Sequence, residues 1–336
     1  METRNLYFDN MKFILIFLVV LGHFANLHRL LPIMGGLNNV IYSFHMPLFI
    51  YISGYFSRNV VQPRRTGIDK ILFIYVVFEV LNFLFTKFTS LGYGSSNLFE
   101  PTYQNWYILG IFFWRLLAPC FNFYPRKITI IGVIALSIII GFYKDFNTFL
   151  ALYRIIYFMP FFVLGYYSDN FFSFKQKFQK YTLIFTPLLI LALSAIYILS
   201  VYIPNCNSFL SDAYTPIYGY NIYDQNKIHV FLIRMFGLFS SSIISFLVLF
   251  IIPEYKTIFS HLGGRTMNVF LLHMFLVFPV NALFNELKLN NLMVFIFSII
   301  TSIIITYFLS LKFIEPIVKP FTSFEHLQSF LSKNPK

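Results

Sequence analysis

Ten stretches of the chain are dominated by apolar residues and joined by short polar connections. They fall at about 11–30, 37–57, 70–91, 103–121, 128–143, 149–168, 181–203, 228–252, 265–286 and 291–313. Each reaches or approaches the roughly 20 residues that carry a helix across a bilayer. None shows the strict alternation over about ten residues that marks a barrel strand. Backbone polar groups in lipid must be satisfied within the segment, which a helix does. The pattern predicts an all-α integral membrane protein, a bundle of about ten transmembrane helices.

Composition agrees: of 336 residues, 58% are hydrophobic and 11% charged, well below the quarter that is charged in a soluble domain. A formal charge of +12 suggests nucleic acid until the basic residues are placed, because they gather at segment ends. With the N-terminus inside, sixteen of the 25 Lys and Arg fall in cytoplasmic connections. Five (Arg29, Lys87, Lys144, Lys227 and Lys288) fall outside, and four (Lys12, Arg115, Arg154 and Arg234) fall in or near helices. That asymmetry is the positive-inside rule. It puts both termini in the cytoplasm, with lipid rather than nucleic acid around the chain, and a bacterial cytoplasmic membrane is the expected location. Residues 1–315 read as one transmembrane domain and 316–336 as a short cytoplasmic tail.

The opening METRNLYFDN leads into a run interrupted by Lys12 and His23, and no small-x-small cleavage site follows. It reads as a retained first helix rather than a signal peptide. Cys120 and Cys206 match no metal-ligand spacing and read as two unpaired thiols, with a disulfide between them as the alternative, and no metal site is expected.

Ionisable side chains at membrane depth cost at least about 2.5–3.5 kcal/mol each on insertion scales, so each needs a partner, a cavity or a task. Here they are Lys12, His23, His45, Glu79, Arg154, Arg234 and His273. On the first helix, Lys12 and His23 are eleven residues apart, which leaves them about 20° from eclipsed, and Asp9 and Asn26 lie close to the same line. One stripe is therefore polar through the membrane and should face the bundle interior. Asn38, His45 and Ser53 repeat this more weakly on the second segment, where Pro47 loosens the helix and Gly54 permits close approach. Glu79 shares a face with Asn82 and awaits a cation. Each of these residues has a second reading as an interhelical hydrogen-bonding group, and Arg154 and Arg234 as snorkelling cations. The aromatic residues read as mostly lipid-facing, with Trp106 and Tyr107 in NWYIL as sugar-stacking exceptions.

YFDNMKFILIFLVVLGHF resembles the opening helix of the membrane-bound acyltransferase 3 family, in which an aspartate and a basic residue precede an apolar run ending in a histidine. FHMPLFIYISGYFS is similar to its second helix, especially in the fucose 4-O-acetylase branch. NWYIL, YRIIYFMPFFVLGYY and GGRTMNVFLLHMF resemble further segments in the expected order. The resemblance implies about ten helices, no permanently bound cofactor, acetyl-CoA as donor and a hydroxyl of a cell-surface polysaccharide or lipid-linked glycan as acceptor. By this likeness His23 is the catalytic histidine, with Asp9 and Lys12 before it. Arg64 and Arg65 stand where members carry an arginine-x-x-arginine motif, here without that spacing, and are the candidates to hold coenzyme A phosphates. Some relatives complete acyl transfer with an additional secreted domain; this core would act alone or with other glycan-assembly proteins.

Acyl transfer to a hydroxyl needs a base for its proton and a group to stabilise the oxyanion. Histidine, with an unperturbed pKa near neutrality, suits the first role. His23 is thus the expected general base or acyl carrier, with Asp9 and Lys12 orienting it. His45, Glu79, Trp106, Arg154 and His273 are the candidates to contact the acceptor. The rival is a transporter or flippase of a lipid-linked glycan, which would be marked by inverted repeats and paired broken helices. Neither is evident in the sequence.

Overall fold

A computed structural model describes residues 5–58, 64–91, 97, 99–143, 148–216 and 227–332, without the side chains of 64–68. Of the basic residues placed above, Arg4, Lys144, Lys333 and Lys336 lie outside the described residues. Among the described residues the chain is helical and has no strand. The helices are α1 Leu6–Leu27, α2 Pro32–Tyr42, α3 His45–Phe56, α4 Arg64–Thr89, α5 Asn105–Leu117, α6 Arg126–Ile139, α7 Leu152–Tyr166 and α8 Phe171–Gln179. There follow α9 Thr182–Tyr202, α10 Cys206–Tyr214, α11 Lys227–Ile251, α12 Thr266–Leu272, α13 Met274–Glu286, α14 Asn291–Leu309, α15 Glu315–Val318 and α16 Phe324–Ser332.

Among the described residues, seven helical spans are long and apolar enough to cross a membrane, and the pair α12 and α13, bent by 54°, makes an eighth if it is one span. Two of the ten expected segments fall short for physical reasons. The 128–143 segment becomes α6, whose 14 residues rise only about 21 Å. The 37–57 segment is two helices, broken at Ser43 and Phe44. Pro47 accounts for the break: its ring excludes the carbonyl four residues earlier, that of Ser43, from a continuous helix. Placed in the first turn of α3 instead, its missing N–H is no loss.

The outer surface is one for lipid. On α9, Leu183, Ile190 and Leu191 are exposed, as are Ile303 and Ile304 on α14. The aromatic residues divide between this surface and the interior, contrary to a mostly lipid-facing reading. Phe8, for example, is buried against Tyr55, Phe56, Phe171 and Phe172.

α1 packs against α2, α3, α12, α13 and α14. Asn5 caps it, its side chain accepting from the amides of Tyr7 and Phe8 at 3.0 and 3.4 Å. Asn10 ties it to the 253–260 connection, donating to Pro253 O and Tyr255 O and accepting from Thr257 and Ser260. Across the bundle, α3 and α7 touch backbone to backbone. A Cβ at Gly54 would overlap the Phe162 carbonyl, and one at Gly165 would overlap that of Tyr51. Small residues that let helices close in this way are a membrane solution to packing without a hydrophobic drive. At one end of the bundle Lys175 is buried, paired with Glu254 and set 4.3 Å from the Tyr7 ring centroid.

Candidate active site

The polar stripe of α1 opens into two cavities, one at each end of the helix. Asp9 and Lys12 line the one at the N-terminal end, of about 660 Å³, with Asn5, Phe56, Arg265, Asn268 and Glu315. His23 and Asn26 line the one at the C-terminal end, of about 630 Å³. Eleven residues of helix separate Lys12 from His23 by about 16 Å along the axis. The structure therefore does not bring Asp9 and Lys12 to His23. Those two form an ion pair of their own at 3.1 Å, with Asp9 buried, and Lys12 lies 5.6 Å from the Phe56 ring centroid.

The N-terminal cavity depends on a glycine. A Cβ at Gly263 would overlap the backbone of Asp9, so the GGRT turn can pack directly on the first turn of α1. Arg265 then reaches Glu315 at 3.8 Å and the Ser310 carbonyl. Arg64 and Arg65 begin α4, and their side chains lie outside the described residues.

The C-terminal cavity collects four of the sequence candidates: His23, His45, Trp106 and Arg154 all line it. His45 is the first residue of α3, and its Nδ1 lies 2.8 Å from the Ile41 carbonyl. That bond places a proton on Nδ1 and leaves Nε2 as an acceptor. Arg154, in the first turn of α7, sits 4.8 Å from the Trp106 ring centroid. The indole also stacks on Phe158, with centroids 5.6 Å apart. Trp106 is thus engaged by protein groups rather than presented bare to a sugar. Volumes of this size lie within the roughly 300–1,000 Å³ typical of small-molecule sites.

His273 joins the group from behind. It occupies the bend between α12 and α13, with Nδ1 2.9 Å from both the Val269 and the Phe270 carbonyls. A side chain intruding on the carbonyl ladder is one of the recognised causes of a sharp bend. Its ring centroid is 5.0 Å from that of His23, and its buried Nε2 has no hydrogen-bond partner.

Glu79 meets no cation among the described ion pairs. Buried on α4, it accepts from Thr102 N at 2.9 Å, Thr102 Oγ1 at 3.2 Å and Asn105 Nδ2 at 2.8 Å. It holds the start of α5; Tyr103 and Gln104 just before that helix and Trp106 and Tyr107 within it form one wall of the cavity. Arg234, also buried, donates to the Asp212 carbonyl and lies 5.9 Å from the Tyr153 ring centroid. It braces α10 against α11 rather than lining the cavity.

Sequence reasoning missed the wall made by α10. Asn207, Ser208, Ser211, Asp212 and Thr215 all line the cavity, and Asn207 is fixed by Asn39 Nδ2 at 2.9 Å. The available signal was the density of small polar residues in PNCNSFLSDAYT, at the start of the longest connection. The rest of that connection, 217–226, lies outside the described residues.

The fold and the site define a multi-pass helical membrane protein with a histidine-lined cavity at one end and a charged cavity at the other. A family model described as an acyltransferase domain matches residues 5–311, nearly the whole chain, and the chain belongs to the acyltransferase 3 family. No curated protein and no solved structure matches it significantly.

Proposed function

We propose that the chain is an O-acetyltransferase that moves the acetyl group of acetyl-CoA to a hydroxyl of a cell-surface polysaccharide or lipid-linked glycan, with His23 as general base. The observation that carries this is the polar stripe of α1, which opens into separate cavities at the two ends of one helix. Such an arrangement suits a donor and an acceptor that approach from opposite sides. The hydroxyl oxygen attacks the thioester carbonyl while His23 takes its proton. The C–S bond then breaks, and the thiolate leaves and is protonated. The cationic end of the stripe, with Lys12 and Arg265, and the arginines at the start of α4 are the groups suited to a phosphorylated donor. The acceptor belongs in the His23 cavity with His45 and Arg154, and the likeness of α3 to the fucose 4-O-acetylase branch is the guide to its chemistry.

The same reading has about ten crossings, with the α2–α3 and α12–α13 pairs each counted once and α6 included, in a bacterial cytoplasmic membrane. Both termini and the 316–336 tail are cytoplasmic, in keeping with the sixteen-to-five partition of basic residues. The two discontinuous helices are a feature shared with transporters. Broken helices equally line cavities within a membrane bundle, and the family match stands on the acyltransferase side.

The test is mass spectrometry of surface glycans from cells with and without this gene. Loss of one acetyl group per modified unit is expected. An unchanged glycan that accumulates inside the cell would instead establish transport.

A further inference from the structure

Acid–base chemistry at His23 leaves Gln104, which lines the same cavity, unexplained. Gln104 is 4% exposed, and neither its Nε2 nor its Oε1 has a hydrogen-bond partner. It stands at the N-cap of α5, yet its side chain caps nothing, where a shorter Asn, Asp or Ser would. Buried polar groups in native proteins are almost always hydrogen-bonded. Gln104 lines the cavity, and a carboxamide beside it that is unpaired at both ends is suited to partners that a ligand supplies.

The segment that carries Gln104 is built to hold it there. Glu79 binds the residue two before it and the residue after it, through Thr102 N, Thr102 Oγ1 and Asn105 Nδ2. Between those anchors Tyr103 has φ 41°, a left-handed conformation that a bulky residue adopts only where its surroundings impose it. A buried carboxylate and a strained backbone thus hold one amide beside the cavity.

We propose that Gln104 is the acceptor-recognition residue. Its carboxamide binds two adjacent hydroxyls of a sugar ring and so selects the hydroxyl that meets His23, and Glu79 is its positioning residue. The assignment rests on the acyl-transfer reading above. A carboxamide offers a donor and an acceptor side by side, the complement of two neighbouring hydroxyls that each donate and accept. The charged groups lining the cavity, Arg29, Arg154 and Asp212, are of both signs, which suits a neutral polyol better than a polyanion.

The experiment uses the full chain in lipid nanodiscs, acetyl-CoA, and a methyl hexopyranoside with adjacent cis hydroxyls beside its monodeoxy analogues as probes. Ester formation is read by mass spectrometry, and binding by the shift in unfolding midpoint. The parent is expected to prefer the intact probe by about tenfold or more in kcat/KM. Gln104→Leu should erase that preference, leave the acetyl-CoA KM unchanged and raise the unfolding midpoint, because an unpaired buried amide is gone. Glu79→Gln should raise the probe KM and leave the acetyl-CoA KM unchanged. A Gln104→Leu protein that inserts normally and keeps the parent preference overturns the assignment. If that variant does not insert, Gln104→Glu, which lacks the donors, is expected to lose discrimination at one hydroxyl of the pair, and an unchanged profile overturns it equally. A probe that is not esterified but stabilises the parent and not Gln104→Leu would sink the acyl-transfer reading and keep the sugar site. A parent that neither esterifies nor binds any probe sinks both.

Discussion

His23 and His273 bring their imidazole centroids to 5.0 Å across the junction of α1 with the α12–α13 bend. No hydrogen bond joins the two rings among those described, and the buried Nε2 of His273 has no partner. Since Nδ1 of His273 is tied to two carbonyls of the preceding turn, its ring is a fixed surface against which His23 can be oriented. His273→Leu, of similar size, is expected to lower kcat by up to about 10²-fold through misorientation of the base. The acetyl-CoA KM should hold, and so should the unfolding temperature. Steady-state kinetics in nanodiscs checks this, and an unchanged kcat would mean that His23 works without its neighbour.

The contact of α3 with α7 gives a prediction about folding alone. Gly54→Ala and Gly165→Ala each drive a methyl into a facing carbonyl, so the helices must separate. A loss of about 1–3 kcal/mol is expected from such overpacking. Gly132→Ala is the control, because a Cβ there meets nothing within 4 Å. Thermal unfolding in detergent separates the cases; if Gly54→Ala unfolds like the control, the two helices are not in backbone contact.

These residues also show how far the sequence could be read. The spacing of Asp9, Lys12, His23 and Asn26 disclosed a polar stripe, because helical periodicity is a local property, and Gly54 disclosed a close approach. The sequence could not show that the stripe serves two cavities, since cavities are made by other helices. Nor could it find the partners of Glu79. A buried carboxylate suggests a cation, but here the amide and hydroxyl of Thr102 and the carboxamide of Asn105 satisfy it. Pro47 was visible, yet its effect falls four residues earlier, at Ser43, and splits the second segment. The bend at His273 has even less local signature, because it accompanies a side chain turned onto its own helix.

The donor prediction concerns Arg64 and Arg65. Phosphate contacts far from the reacting carbonyl contribute nearly equally to ground and transition states, so their loss shows in KM rather than kcat. The double variant Arg64→Ala, Arg65→Ala is expected to raise the apparent KM for acetyl-CoA and to preserve the rate at saturating donor. Titration of donor at fixed acceptor reads this directly. An unchanged KM in a normally inserted protein would reduce the pair to topology anchors.

The sharpest prediction concerns His23, where two roles make different forecasts. If the imidazole only bridges helices, losing it costs on average about 0.6 kcal/mol, and most molecules remain folded and active. If it is the general base, its loss costs about 10²–10⁴-fold in rate, with the fold intact. The structure leans away from a bridging role, because His23 makes no hydrogen bond among those described and lines a cavity. His23→Ala is therefore expected to insert normally and to abolish measurable transfer. His23→Gln is the decisive companion, since it keeps hydrogen-bonding capacity but cannot take up a proton near neutral pH. Both variants are compared with the parent at matched membrane levels, by acetyl content of the acceptor and by unfolding temperature. Near-normal acetylation by His23→Gln would show that the ring serves structure, and the general base would then have to be sought at His45, which lines the same cavity with its Nε2 free to accept a proton.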